Sequence, residues 1–256
     1  MKYLLTYQQI RQMIPVIASI LLVAQAPAQT STVQFKSTDN VIITADMYVS
    51  KPNTAPFIVL FHQARFSRGE YLETAPKLNA MGFNCMAVDL RSGESVNGVE
   101  NKTFLFADSL GLETRYVDAY DDMKAAISYA RRKYPGAKLI VFGSSYTASL
   151  SIKLASDFPS IISGVVAFSP GEYFSKFGWN REITQISASN VRCPVFITSA
   201  REEKESWQKI YDAIPVQSKV SFVPQANGKH GSKALWSAFP ESKEYWSALS
   251  GFLNRY

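Results

Sequence analysis

From residue 57 onward the chain repeats one pattern. A short run of apolar and β-branched residues ends in a polar break, and a segment with helical spacing follows. The runs "FIVLFH" (57–62), "FNCMAVDL" (83–90), "KLIVFGS" (138–144), "ISGVVAFSP" (162–170), "CPVFITSA" (193–200) and "KVSFVPQA" (219–226) read as strands. Most are too uniformly apolar to have one wet face, and strands buried on both faces belong to parallel sheets with helices on either side. Helical segments fall between or after them, at 69–81 (with Pro76 inside), 118–134, 146–158, 205–214 and 243–255. In the second of these Ala119, Met123, Ala126, Ile127, Ala130 and Tyr134 form one apolar stripe, closed by Pro135-Gly136. Two earlier runs, 31–38 and 41–49, flank a polar turn at Asp39-Asn40 and read as an antiparallel edge. The expectation is an α/β fold with a mostly parallel sheet of about eight strands and helices on both faces. No linker or composition shift divides it, and 256 residues suit one such domain.

The first 28 residues stand apart. Lys2 and Arg11 precede the apolar run "MIPVIASILLVA", and "APA" follows, with small residues at Ala26 and Ala28. This is the pattern of a secretory signal, and the run is short of the roughly 20 residues that span a bilayer. It predicts a signal peptide at 1–28, a mature chain of 29–256 and export to the periplasm or medium, without a stable membrane span after cleavage. Leaving Lys2 and Arg11 aside, 25 basic residues face 21 acidic ones and are scattered, which gives no footprint for nucleic acid. The two cysteines, Cys85 and Cys193, lie in expected core strands and read as buried thiols rather than a bridge. With only two Cys and two His, a zinc site is not expected, and no other cofactor is implied.

Chemistry in such a sheet gathers at the carboxyl ends of its strands. The third parallel run ends in "GSSYTAS", where a strand turns at once into a helix. A sharp turn of this kind lifts a serine hydroxyl clear of the sheet and requires small residues two positions before and after it. Gly143 meets the first requirement for Ser145, whereas Ser144 would have bulky Phe142 in that place. Ser145 is therefore the candidate nucleophile. A serine hydroxyl needs a base oriented by a carboxylate. His62 precedes the serine and reads as structural, while His230 lies in the loop after the last strand. "AREE" offers Glu202 and Glu203 as the acid at the end of the preceding strand, with Glu172 a weaker option. Arg91, after "DL", reads as an organiser of neighbouring loops. The long connection 92–117 carries Phe104, Leu105, Phe106 and Leu110, which suit either a small lid or padding for the core.

The segments "LFHQARFSRGEY", "MAVDLRSGES", "VFGSSYTAS", "CPVFITSAREE" and "GKHG", in this order and spacing, resemble the α/β-hydrolases, in particular the compact dienelactone-hydrolase-like kind without a large cap. The resemblance spans about residues 35–250. It implies a triad of Ser145, His230 and Glu203, and an oxyanion hole made by the backbone N–H groups of Ala64 and Tyr146. Two positions depart from the family pattern. Thr147 stands where the elbow commonly has Gly, and Glu203 stands where Asp is commoner. Dienelactone hydrolases proper use a cysteine nucleophile, so Ser145 points instead to a serine esterase acting on a small-molecule ester. The competing expectation is a catalytically silent domain of the same fold that binds a ligand or protein partner.

Overall fold

The computed structural model describes residues 29–256, so the expected signal segment lies outside the described residues. Strands β1 (Gln29–Lys36), β2 (Ile42–Val49), β3 (Phe57–Phe61) and β4 (Asn84–Val88) come first, with α1 (Thr74–Ala80) between the last two. A small hairpin, β5 (Ser95–Val96) and β6 (Val99–Glu100), leads to α2 (Lys102–Ser109) and α3 (Ala119–Lys133). Then follow β7 (Leu139–Ser144), α4 (Tyr146–Asp157), β8 (Ile162–Phe168) and α5 (Ile183–Ala188). Strand β9 (Val195–Thr198), α6 (Lys204–Ala213), β10 (Val220–Phe222) and α7 (Ser242–Leu253) complete the described chain.

Eight strands form one sheet in the order β1-β2-β4-β3-β7-β8-β9-β10. β1 and β2 are antiparallel about the Asp39-Asn40 turn, and β2 is also antiparallel to β4. From β4 to β10 every pairing is parallel. The strand period of two divides the core. Phe57, Val59 and Phe61 face one side with residues of α3, α4 and α6, while Ile58 and Leu60 face the other with those of α1 and α7. All five residues of β3 and of β4 are buried, as the apolar runs required. This is the α/β-hydrolase fold without a large cap. Among the described residues no helix is long and apolar enough to cross a membrane.

The expected helix over 69–81 is broken in two. Arg68–Tyr71 is a short 3-10 turn capped by Ser67, and α1 begins only at Thr74. Pro76 sits in the first turn of α1, where a missing N–H costs nothing. The break lets Glu70 turn back and accept the Gln63 N–H at 2.8 Å. The 92–117 connection is neither lid nor core padding as a whole. Its helix α2, capped by Asn101, lies against β2, where Thr103 Oγ1 accepts the Thr44 N–H at 2.9 Å, and Leu105 and Leu110 face solvent. Both of its ends meet Tyr146, Ser92 at the hydroxyl and Tyr116 by stacking on the ring with centroids 4.5 Å apart.

Two arginines anchor the antiparallel side. Arg68 pairs with Asp46 and Asp89 at 2.9 and 2.6 Å, and Arg91 pairs with Asp39 and Asp122, both at 2.6 Å. Arg91 thus joins the β1–β2 turn to α3, in line with its expected role between loops. His62 is wholly buried at the end of β3. Its Nδ1–H donates to the Gln63 carbonyl at 2.8 Å, and Nε2 accepts the Leu90 N–H at 2.9 Å. This ring is a structural clamp between β3 and β4, and burial depresses its pKa to about 4. Both cysteines are free: Cys85 is fully buried on β4, whereas Cys193 is only partly buried and lies two residues before β9 instead of on a strand, with β3, β7 and β8 between β4 and β9.

The buried Arg91 pair and the buried neutral His62 each give a stability prediction. Arg91→Met leaves Asp122 buried without its counter-ion, a change that costs about 3–5 kcal/mol and is read by urea unfolding at pH 7. For His62 the unfolded chain takes up a proton near pH 6.5 while the folded ring resists it to about 4. Its contribution is complete above pH 6.5 and is lost as pH falls towards 4, about 3 kcal/mol in all. A His62→Gln variant should therefore show a shallower loss of stability than the parent between pH 7 and 4.5.

Candidate active site

The site is built on β7, the fifth strand of the sheet, flanked by β3 and β8. At its end the backbone turns so tightly that a Cβ on Gly143 would lie 2.3 Å from the Thr147 carbonyl oxygen and 2.5 Å from the Ala148 nitrogen. Glycine is required there for steric reasons. The turn forces Ser145 to φ 60° and ψ −123°, a conformation that costs a non-glycine residue about 1–3 kcal/mol. Two bonds hold it. The Ser145 N–H donates to the Phe168 carbonyl at 2.7 Å, and the Ser145 carbonyl accepts the Ala148 N–H at 2.9 Å. Thr147, the departure from the commoner glycine, is wholly buried. Its Oγ1 accepts the Ser144 N–H at 2.8 Å and donates to the Phe61 carbonyl at 2.8 Å, tying the elbow to β3. The hydroxyl uses the space instead of blocking it.

Three side chains distant in sequence converge at this corner. His230 Nε2 lies 2.8 Å from Ser145 Oγ, and His230 Nδ1 lies 2.5 Å from Glu203 Oε1. With Nδ1–H donating to the carboxylate, Nε2 is left to accept the serine proton. Glu203 sits in a 3-10 turn (Arg201–Glu203) directly after β9. Its other oxygen accepts the Ser169 hydroxyl at 2.6 Å and the Ala200 N–H at 3.2 Å. Burial works to raise the Glu203 carboxyl, but the hydrogen bonds from His230 and Ser169 outweigh it, and the net shift is downward. Of the other acids considered, Glu202 is exposed and makes no side-chain hydrogen bond among the described residues. Glu172 caps α5 instead, its two oxygens accepting the Thr184 and Gln185 N–H groups at 3.0 and 2.8 Å.

The N–H groups of Ala64, after β3, and Tyr146, at the start of α4, have no acceptor among the described residues. The Tyr146 hydroxyl is engaged with Ser92 and its ring with Tyr116. Tyr173 lies against Ser145 and donates its hydroxyl to the Ser169 carbonyl at 2.8 Å. A cleft of about 280 Å³ opens beside Glu203, lined also by Ser169, Gly171, Glu172, Tyr173 and Ser206. Among the described residues no group of three or more His, Cys, Asp or Glu is arranged to hold a metal ion.

Sequence reasoning missed Ser169, Tyr173 and Glu70. Ser169 takes φ 56° at the end of β8, is nearly fully buried, and accepts the Gly231 N–H at 2.9 Å while donating to Glu203. The one available signal was the position of "SPG" at a strand's carboxyl end, which marks a tight turn but not its partners.

A parallel sheet with a strained serine at the turn from its fifth strand to a helix, facing a histidine and a carboxylate from later loops, defines an α/β-hydrolase. The chain belongs to the serine aminopeptidase S33 family (Hydrolase_4), whose pattern matches residues 52–210. That span includes Ser145 and Glu203 and stops before His230. No curated protein sequence matches the chain. Similar solved structures include an esterase of Pyrococcus furiosus, with 19% identity over 90% of this chain and 93% of that one and a TM-score of 0.68. A dienelactone hydrolase of Anabaena variabilis is 13% identical over 90% and 99% of the two chains, with a TM-score of 0.69. A thermostable carboxyl esterase of Bacillus coagulans is 14% identical over 88% and 98%, with a TM-score of 0.67. At these identities the likeness lies in the fold.

The Ser169 position gives a direct stability test. Ser169→Ala loses a hydrogen bond to a charged carboxylate and should cost about 1.5–3 kcal/mol in urea unfolding. Ser169→Gly loses the same bonds but relieves the positive φ, so it should be the more stable of the two by about 1 kcal/mol.

Proposed function

We propose that this protein is a serine hydrolase that cleaves small carboxylic esters, with Ser145 as nucleophile, His230 as general base and acid, and Glu203 as the carboxylate that orients the imidazole. The observation that carries the reading is the continuous relay from Ser145 Oγ to His230 Nε2 at 2.8 Å and from His230 Nδ1 to Glu203 Oε1 at 2.5 Å. In this reading Ser145 Oγ attacks the acyl carbon as its proton passes to His230. The carbonyl oxygen gains negative charge and is held by the N–H groups of Ala64 and Tyr146, donors worth about 2.7–4 kcal/mol each in such sites. His230 then protonates the leaving alcohol, giving an acyl-serine. Water, deprotonated by the same ring, releases the acid and restores the hydroxyl. Glu203 stabilises the imidazolium in both halves and does not itself take the proton.

The same machinery can cleave amides, and the family is named for an aminopeptidase. An aminopeptidase must hold a free α-ammonium group. The two carboxylates lining the cleft beside the triad are already engaged, Glu203 by His230 and Ser169, and Glu172 by the start of α5. This favours an ester without a terminal ammonium, and three similar folds carry esterase or lactone-hydrolase names. The silent-domain reading drew on Thr147 and on the open choice of acid. The hydrogen bonds of Thr147 and Glu203 remove that support. The basic, apolar and small-residue order of residues 1–28 supports export of the mature chain.

A fluorophosphonate probe should label the wild-type protein at Ser145, and Ser145→Ala should abolish labelling. On short p-nitrophenyl esters, Ser145→Ala and His230→Ala should each lower kcat by at least about 10⁴-fold. Labelling that persists in Ser145→Ala, or a panel of esters left intact by the wild type, would remove the assignment.

A further inference from the structure

We propose that Glu70, which takes no part in the proton relay, is a positioning residue that sets the oxyanion loop, the nucleophile elbow and the base loop in register; this rests on the ester-hydrolase reading above. Glu70 has no solvent-exposed surface. Its Oε2 accepts the Gln63 N–H at 2.8 Å, and its Oε1 accepts the Ser144 hydroxyl at 2.8 Å and the Ser232 hydroxyl at 2.6 Å. The Ser232 N–H in turn donates to Ser144 Oγ at 2.8 Å, and the Glu70 carbonyl accepts Trp236 Nε1–H at 2.9 Å.

Each side-chain bond ends next to a reacting group. Gln63 precedes Ala64, Ser144 precedes Ser145, and Ser232 follows His230 by two residues. The packing between them leaves no slack. Gly231 has φ 72°, and a Cβ there would lie 2.6 Å from Ser144 Oγ and 3.1 Å from Gln63 Oε1. The buried Arg68 and Arg91 pairs bind scaffold elements to one another. The Glu70 side chain binds only the three loops that carry the proposed chemistry.

The donor pattern specifies a carboxylate. The Gln63 N–H can only donate. The Ser144 oxygen already accepts from Ser232, so its proton is free for Glu70, and the Ser232 hydroxyl supplies the third donor. A glutamine of the same shape would turn an N–H towards one of these donors. Burial raises the Glu70 carboxyl, while Ser232, Gln63, Ser144 and the charge of Lys233 oppose that shift. Tyr71 and Tyr146 are the other titratable groups close to it, and burial keeps both phenols protonated. The carboxylate therefore acts through geometry. It holds Ser145 Oγ and His230 Nε2 at hydrogen-bond distance and fixes the Ala64 N–H relative to the elbow. A displacement of about 1 Å in such a constellation costs about 10²-fold in rate.

The test compares Glu70→Gln, Ser232→Ala and the double variant with the wild type on a short p-nitrophenyl ester, below the melting temperature of each. Active sites are counted by labelling to completion with a fluorophosphonate. The expected result is a kcat per labelled site lowered about 10²-fold in Glu70→Gln and about 10-fold in Ser232→Ala, with KM within threefold. Rate constants for labelling should fall in parallel with kcat. The double variant should be no slower than Glu70→Gln alone, because the two changes remove one shared tether. A purely structural role would instead reduce the fraction that labels and leave kcat per site unchanged, and that outcome overturns the proposal. So does a kcat within threefold of wild type in folded Glu70→Gln, or additive losses in the double variant. If Glu70→Gln does not fold, Ser232→Ala decides alone, and a kcat within twofold of wild type overturns the proposal. A wild type that neither labels nor hydrolyses any ester fails at the earlier reading, and this one falls with it.

Discussion

The close approach of backbone to backbone between Gly143 and Thr147 is the constraint on which the rest of the structure depends. It makes the turn from β7 into α4 sharp enough to hold Ser145 at a positive φ and to project its hydroxyl above the sheet. Strain of this size persists only where the surroundings over-determine it. Here β7 lies between β3 and β8 with both faces buried, and the Thr147 hydroxyl binds the elbow to β3 while the Ser145 N–H binds it to β8. The strained serine is thus attached to strands buried on both faces.

The partners of Ser145 come from a weaker region. Strand β10 is three residues long, half-exposed and at the edge of the sheet, and the His230 loop follows it. Such a loop would be mobile if left to its strand alone. Bonds from other elements compensate. The Arg201 N–H donates to the Asn227 carbonyl at 2.8 Å, Ser169 accepts from Gly231, and Ser232 reaches Glu70 and Ser144. The turn that carries Glu203 is held from behind as well. Trp207 Nε1–H donates to Ser199 Oγ at 2.7 Å, and the Tyr245 hydroxyl donates to the Ser199 carbonyl at 2.9 Å.

Much of this arrangement is legible in the order of residues because the central strands are buried on both faces. Runs such as "FIVLFH", short and bounded by polar breaks, then read as strands, and a mostly parallel sheet of about eight strands with an antiparallel edge follows. The preference for Ser145 over Ser144 is legible for the steric reason that places glycine at 143. Other features depend on long-range contacts that leave no local periodicity. Glu202 and Glu203 share one short turn, and only its orientation decides which faces His230. The break in the 69–81 segment goes with the contact between Glu70 and Gln63, which no helical spacing encodes. Ser169 adopts φ 56° without being glycine or asparagine, so nothing in its identity marks it. Helix α5 is only six residues long and begins at a cap supplied by Glu172, eleven positions before its first residue.

The two thiols of the chain carry a practical corollary. Burial pushes Cys193 up to about 12 and Cys85 higher still, so neither presents appreciable thiolate at neutral pH. Alkylating dyes and spin labels should pass over both in the native state. A single cysteine introduced at an exposed position would then be the one addressable sulfur, and distances to the His230 loop could be followed spectroscopically without first removing the natural pair.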